Sequence, residues 1–429
     1  MCVLPPSIAI SARPRTSRAC WASSTPTASE AAMTVARGQP TELDRRFMAA
    51  AIALGWRNAG VARPHPSVGA ILVRKGADGF EVIARAVSAP GGRPHAEALV
   101  LAAAGSRARG ATLYVTLEPC LNGGPAPSCV TALVNAGVAH VVVGIEDPDP
   151  RYSGRSLAIL ERNGIRVTSG VRAGEAALLH AGHIARSRLD RPHVHLRLML
   201  SADGCVERTG EGTRPVASAA ARAHGFGLRL MHDAVMVGSG TIVADDPRLT
   251  ARLPGCEPRS PVRVIVDAEA RTPINANVVA LARTSPTWIF VAPDAPEERV
   301  KALFQRGVLV LTAERDASGR LDLADVLFQM GGLGIGSVLA EGGARLARSL
   351  LEAGMVDEAT VIVSEEATGG EVPDLPLTEL TDAKAFRIVS SRSFGEDRLL
   401  HLARIDGRTS IHDIRLPVRP IRRPIAEPL

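Results

Sequence analysis

Aromatic side chains are scarce in this chain, at 3% of 429 residues. Stacking platforms for exposed bases are correspondingly few, which argues against single-stranded nucleic acid as a ligand. Cysteine is scarce as well, with six residues at positions 2, 20, 120, 129, 205 and 256. That is too few for a disulfide scaffold and fits a reducing compartment, where neighbouring thiols more often bind metal. No apolar run approaches the roughly 20 residues needed to cross a bilayer. An excess of one charge is missing from most of the chain. The formal net charge is +6, but Arg13, Arg15, Arg18 and Arg37 against Glu30 at one end account for half of it. Arg408, Arg415, Arg419, Arg422 and Arg423 against Asp413 and Glu427 at the other end account for the rest. Residues 41–406 balance, so the basic character does not describe a nucleic-acid-binding surface on the body. These absences leave a cytoplasmic enzyme of small molecules, with no nucleic-acid or membrane partner.

What is present is a globular composition, 46% hydrophobic and 22% charged, long enough for two or three domains. Residues 1–40 are rich in Ser, Thr and Arg. They read either as a segment resembling a transit peptide or as a disordered extension, with Met33 as an alternative start. Residues 407–429 read as a disordered Pro/Arg-rich tail. Between them, short apolar runs alternate with helical patterns, which is the signature of layered α/β domains. From Asp44, read as an N-cap, Phe47, Met48, Ala51 and Ile52 recur at helical spacing. Strands are expected at 68–73, 112–117 and 140–144, and a helix at 173–188. The charged stretch RLDRPHV follows, and then a second series of strands at 194–200, 234–238, 262–267, 288–292, 308–312, 337–341 and 359–363. The spacing predicts one α/β domain over 41–188 and another over 191–406.

One constellation carries chemistry. His95-Ala96-Glu97 opens an alanine-rich helix; Cys120 follows the strand TLYVTL through Glu118-Pro119; Cys129 begins a further helix that Gly137 terminates. His95, Cys120 and Cys129 offer three ligands for Zn²⁺ and leave a position for water. A structural zinc site needs a fourth protein ligand, and none is near in the sequence. Glu97, not itself a ligand, can move the proton of that water to a ring nitrogen and a departing amine. The order His-x-Glu then Pro-Cys and Cys is that of the zinc deaminases, although eight residues separate these cysteines rather than two.

The segments HPSVGAILV, RPHAEALV, ATLYVTLEPC with Cys129, and EDPDPRYSGRS resemble the bifunctional riboflavin-biosynthesis deaminase–reductase family, and the likeness runs over residues 44–405. The resemblance implies a cytidine-deaminase-like three-layer α/β/α domain followed by a dihydrofolate-reductase-like α/β domain. It implies Zn²⁺ and NADPH as cofactors, a pyrimidine ribosyl-phosphate as substrate, and a homo-oligomer. In the second domain GGLGIG (331–336) precedes a strand instead of following one, so it is not a dinucleotide fingerprint. EGGARLARSLL (341–351) and MVGSGTIVADDPRLTAR (236–252) are the informative stretches. By resemblance, Met199, Pro215, Thr241, Asp245 and Gly343 fall at the cofactor. Thr213, Arg229, Leu249, Arg252 and Glu341 fall at the substrate.

The chain also departs from the family. Its loop usually reads C-S-H-H-G-K/R-T-P-P-C, whereas this chain has CLNGGPAPSC, and His65 stands in place of the usual asparagine before Pro66. Arg197, Met199 and Pro215 replace a usual lysine, alanine and tryptophan. Two other readings therefore stand beside the main one: a diverged paralogue acting on a related pyrimidine phosphate, and a zinc-stabilised protein whose basic ends bind nucleic acid.

Overall fold

The structure is a computed structural model that describes residues 39–77, 79–121, 127–202, 218–366, 380 and 382–405. Both chain ends, most of the loop between the two cysteines, Thr213 and Pro215 lie outside the described residues.

The first sheet contains β1 (Gly69–Gly76), β2 (Gly79–Val87), β3 (Thr112–Leu117), β4 (His140–Ile145) and β5 (Arg166–Thr168), in the order β2-β1-β3-β4-β5. β1 is antiparallel to both neighbours, and β3, β4 and β5 run parallel. β3 and β4 read as nearly unbroken apolar runs because helices cover both faces, leaving no polar side to alternate with. α1 (Glu42–Arg57) packs with α5 (Ala173–Leu179). α2 (Ala96–Ala104) packs on α3 (Cys129–Ala136), and α3 on α4 (Arg155–Arg162), completing the three layers.

Two local expectations change. The N-cap of α1 is Thr41, and Asp44 is the third helical residue of a capping box, its carboxylate accepting from the Thr41 amide at 2.9 Å. The same carboxylate also accepts from the Tyr114 hydroxyl at 3.0 Å, tying the helix start to β3. The helix expected over 173–188 is two helices, α5 and α6 (Ala181–Leu189), with the break at His180. The His180 ring is buried and its Nε2 lies 3.0 Å from Thr116 Oγ1 on β3.

The second sheet has nine strands: β6 (His193–Leu200), β7 (Ala234–Gly238), β8 (Val262–Val266), β9 (Thr287–Val291), β10 (Leu309–Thr312), β11 (Ser337–Ala340), β12 (Glu358–Val363), β13 (Phe386–Phe394) and β14 (Asp397–Arg404). Their order is β10-β9-β8-β7-β11-β6-β12-β14-β13, parallel as far as β12, after which the β13–β14 hairpin closes it antiparallel. Side-chain alternation divides the core. Ala234 and Met236 of β7 pack with one cluster and Val235 and Val237 with another, as period-2 geometry requires of a sheet covered on both faces. The helices are α7 (Ala219–Met231), α8 (Ser239–Asp245), α9 (Asn277–Ala280), α10 (Glu297–Gln305), α11 (Leu323–Gly332) and α12 (Ala344–Glu352).

The two sheets are joined through Asp190–Pro192. Arg191 donates to both carboxylate oxygens of Asp357, at 2.7 and 2.8 Å, and the Val194 amide donates to the same carboxylate. The glycines of GGLGIG serve this junction. A Cβ at Gly182 would lie 2.7 Å from the Gly336 carbonyl oxygen, and one at Gly334 would lie 2.7 Å from Pro64 Cβ. Only a residue without a side chain allows the backbones to approach so closely.

Candidate metal centre and a second, cationic site

Three segments converge at the carboxyl end of β3. His95 is the N-cap of α2, with extended backbone and no side-chain cap bond, so its ring is turned away from its own helix. Cys120 lies three residues beyond β3. Cys129 is the first residue of α3, whose N-cap Ser128 accepts from the Thr131 amide. His95 Nδ1 stands 3.3 Å from Cys129 Sγ and 3.4 Å from Cys120 Sγ, and the two sulfurs are 3.3 Å apart. Ligand atoms around a tetrahedral zinc at ordinary bond lengths are separated by about 3.5 Å, so this triangle has the size of one face of such a site. It is the one group of three or more candidate ligands found among the described residues.

The electrostatics agree with the donor set. Hydrogen bonding from Cys129 dominates at Cys120 and brings its pKa down to about 4, while the Cys129 thiol, sharing that proton and buried, is pushed up. A divalent cation held by the three residues would take the place of the shared proton, since thiols ligate as thiolates. The hydrogen bond with Cys120 raises His95. Glu97, in the first turn of α2, is 3% exposed, and its Oε2 has no hydrogen-bond partner among the described residues. Burial brings its pKa up to about 7. A buried carboxylate oxygen left without a partner beside three ligand atoms suits a group that handles a substrate proton.

Sequence reasoning missed Glu118 as a structural centre of this site. Its carboxylate accepts from the amides of Asp147 (2.9 Å), Gly154 (2.8 Å) and Ser156 (3.1 Å) and from the Ser156 hydroxyl (2.6 Å). It thereby anchors the EDPDPRYSGRS loop beside Cys120. Burial still holds its pKa above the ordinary carboxylate value. The order Glu-Pro-Cys was visible in the sequence, but these partners, 29 to 38 residues away, were not.

The second site lies at the carboxyl ends of β7 and β11. Gly343 is the N-cap of α12, and a Cβ there would sit 3.7 Å from Thr241 Oγ1 of α8. Asp245 ends α8. Glu341, just past β11, accepts from Arg229 Nε at 3.0 Å and lies 3.9 Å from Arg197 Nη1. Burial works to raise Glu341, but Arg229 and Arg197 outweigh it and keep the pKa low. Arg229 also donates to the Thr250 carbonyl at 2.9 Å, so much of its donor capacity is spent within the protein. Arg252 lies on the other flank, its guanidinium 4.9 Å from the Phe226 ring centroid, with Arg229 5.6 Å from the same ring. Three arginines around one carboxylate leave a cationic site. Met199 packs near the end of β6, against Ala221, Ile362 and Leu399. Leu249 is 2% exposed and packs into the core around Ile242, so it can offer a ligand its backbone rather than its side chain.

Fold and site together define the class: a zinc-binding deaminase region joined to a second α/β domain with a cationic site. Residues 41–145 match the cytidine and deoxycytidylate deaminase zinc-binding region, and residues 192–400 match the RibD C-terminal domain. The riboflavin biosynthesis protein RibD of Escherichia coli is 34% identical over 375 residues, covering 84% of this chain and 99% of that protein. The solved structure of Acinetobacter baumannii RibD aligns with a TM-score of 0.73 at 30% identity, over 84% of this chain and 99% of that one. A Thermotoga maritima structure described as a diaminohydroxyphosphoribosylaminopyrimidine deaminase/5-amino-6-(5-phosphoribosylamino)uracil reductase aligns at 0.71 and 27% identity, over 85% and 99%. The chain belongs to the RibD family of riboflavin-biosynthesis enzymes.

Proposed function

We propose that the chain carries out two successive reactions of riboflavin biosynthesis. The first is hydrolytic deamination of 2,5-diamino-6-(5-phosphoribosylamino)pyrimidin-4(3H)-one. The second is reduction of the ribosyl chain of the product to ribityl with NADPH. The observation that carries the reading is the triangle of His95, Cys120 and Cys129 with the partnerless oxygen of buried Glu97 beside it.

His95, Cys120 and Cys129 would hold Zn²⁺, which supplies the Lewis acidity that makes a water nucleophilic at neutral pH. Glu97 would carry two protons in turn: the first from the attacking water to the ring nitrogen as the C–O bond forms, the second from the new hydroxyl to the amine as the C–N bond breaks and ammonia leaves. A pKa near 7 suits a group that must both accept and release a proton. Glu118 keeps the flanking loop in register with Cys120.

At the second site, Met199, Thr241, Asp245 and Gly343 take the cofactor, with Pro215 assigned to the same role by resemblance. Arg252 and Arg229 bind and orient the sugar phosphate, with Glu341 fixing Arg229; Leu249 offers its backbone to the substrate, and Thr213 is assigned to the same role by resemblance. NADPH supplies the hydride, and the arginines hold the sugar for its transfer. The domains span 41–188 and 191–406, the assembly is a homo-oligomer and the compartment is the cytoplasm. The neutral body between the basic ends supports a small-molecule substrate over a nucleic acid.

Glu97→Gln tests the first step. It keeps the three ligands and removes the proton carrier, so deamination should fall by at least about 100-fold while zinc content stays at the parent level. Deamination near the parent rate would refute the role given to Glu97.

A further inference from the structure

The stretch between the zinc ligands, Leu121–Ser128, contains no lysine, arginine or histidine. A phosphomonoester brings nearly two negative charges, and a site that selects it needs cationic donors within reach. The structure supplies such donors from another direction. A cavity of about 360 Å³ lies between the first-sheet unit and the amino-terminal ends of β6, β11 and β12, lined by Arg63, Arg186, Arg392 and most of the chain's histidines.

The acids of this wall are already engaged. Asp233 accepts from the amides of Gly336 (2.8 Å) and Ser337 (3.1 Å), and Glu358 is held by His401 and lies 3.7 Å from His193. His195 Nδ1 faces His232 Nε2 at 3.3 Å, and its Nε2 faces the Thr360 hydroxyl at 2.8 Å. Burial holds His180, His195, His224 and His232 below their ordinary pKa, so the cationic groups of the lining are Arg63, Arg186 and Arg392.

His65 connects this cavity to the metal centre. It lines the cavity, and its ring centroid is 6.1 Å from that of His95. It is also wedged against Gly92, where a Cβ would come within 2.3 Å of His65 Cβ. On the far side, Arg186 Nη1 donates to the Pro64 carbonyl at 2.7 Å, which fixes the guanidinium one residue from His65 and leaves further donors on the same group. His183 is three residues before Arg186 on α6, on the same face of that helix.

We propose that Arg186, with His65 and His183, forms the phosphate subsite of the deaminase. Selection of a phosphorylated ribosylamino substrate then comes from helix α6 at the domain junction and not from the loop between the cysteines. A pyrimidine placed at the zinc directs its ribosyl phosphate outward past the His65 ring, towards Arg186. This inference rests on the deaminase reading above.

The test uses the zinc-loaded full chain carrying Glu97→Gln, which binds substrate without turning it over. Calorimetry compares the phosphorylated diaminopyrimidine substrate with its dephosphorylated ribosylamino counterpart. Arg186→Ala should weaken binding of the phosphorylated compound by about 10- to 100-fold, as expected for a lost hydrogen bond to a charged group, and leave the dephosphorylated compound unchanged. Arg186→Lys should restore most of the loss. Unchanged affinity for the phosphorylated compound, or equal weakening of both, would overturn the subsite. So would equal affinity for the two compounds in the parent, whereas binding of neither would instead refute the deaminase assignment on which it depends.

Discussion

At the scale of single residues, this chain is most legible where chemistry dictates residue type. A catalytic zinc admits few ligands, so His95, Cys120 and Cys129 stand out in the sequence and meet in space within 3.4 Å. Glu97 stands out by its place two residues after His95, and the structure adds its burial and an oxygen without a hydrogen-bond partner among the described residues. Residues that act through position were not legible. Nothing in a linear reading joins Glu118 to the Gly154 amide, or shows that Arg229 spends its donors on Glu341 and Thr250 and so leaves Arg252 as the more available cation. The residue-scale prediction concerns the metal. Pure protein should hold about one equivalent of Zn²⁺ per chain, and Cys129→Ser should lose most of it by metal analysis. Undiminished zinc in that variant would remove Cys129 from the ligand set.

At the scale of elements, continuously apolar strands were found almost to the residue: β3, β7 and β12 begin and end within a position of where their apolar runs do. β2, β5, β13 and β14 were not found. β2 and β13 lie at sheet edges and expose much of their length, so their sequences lack the apolar run that marks a strand covered on both faces. The glycine run at 331–336 belongs to the junction, where backbones of the two units nearly touch. The ion pair of Arg191 with Asp357 fastens that junction to β6 and β12. Burial alone would raise the Asp357 pKa, but the hydrogen bonds from Arg191 and the nearby His193 charge bring it below the ordinary value. A depressed folded-state pKa gives stability that is present above the unfolded value of about 3.9 and is lost as pH falls through the lower folded value. Asp357→Asn should therefore cost about 3 kcal/mol near neutral pH. In chemical denaturation, the gap between variant and parent should narrow as pH is lowered below about 4. A gap that stays constant into that range would show that the carboxylate charge is not what fastens the junction.

At the scale of the whole molecule, the two sites occupy different ends of the fold. The metal centre lies at the carboxyl end of β3, and the interdomain cavity beside it meets the amino-terminal ends of β6, β11 and β12. The cationic site with Glu341, Thr241 and Gly343 lies at the opposite, carboxyl end of β7 and β11. An intermediate made at the first site must therefore leave it to reach the second. The most direct test is product analysis of the zinc-loaded chain incubated with the diaminopyrimidine substrate, with and without NADPH. Without NADPH, ammonia and the deaminated ribosylamino compound should accumulate in equal amounts. With NADPH, the ribityl compound should replace the latter while ammonia is unchanged. NADPH oxidation without ammonia release, or no ammonia in either arm, would contradict the account.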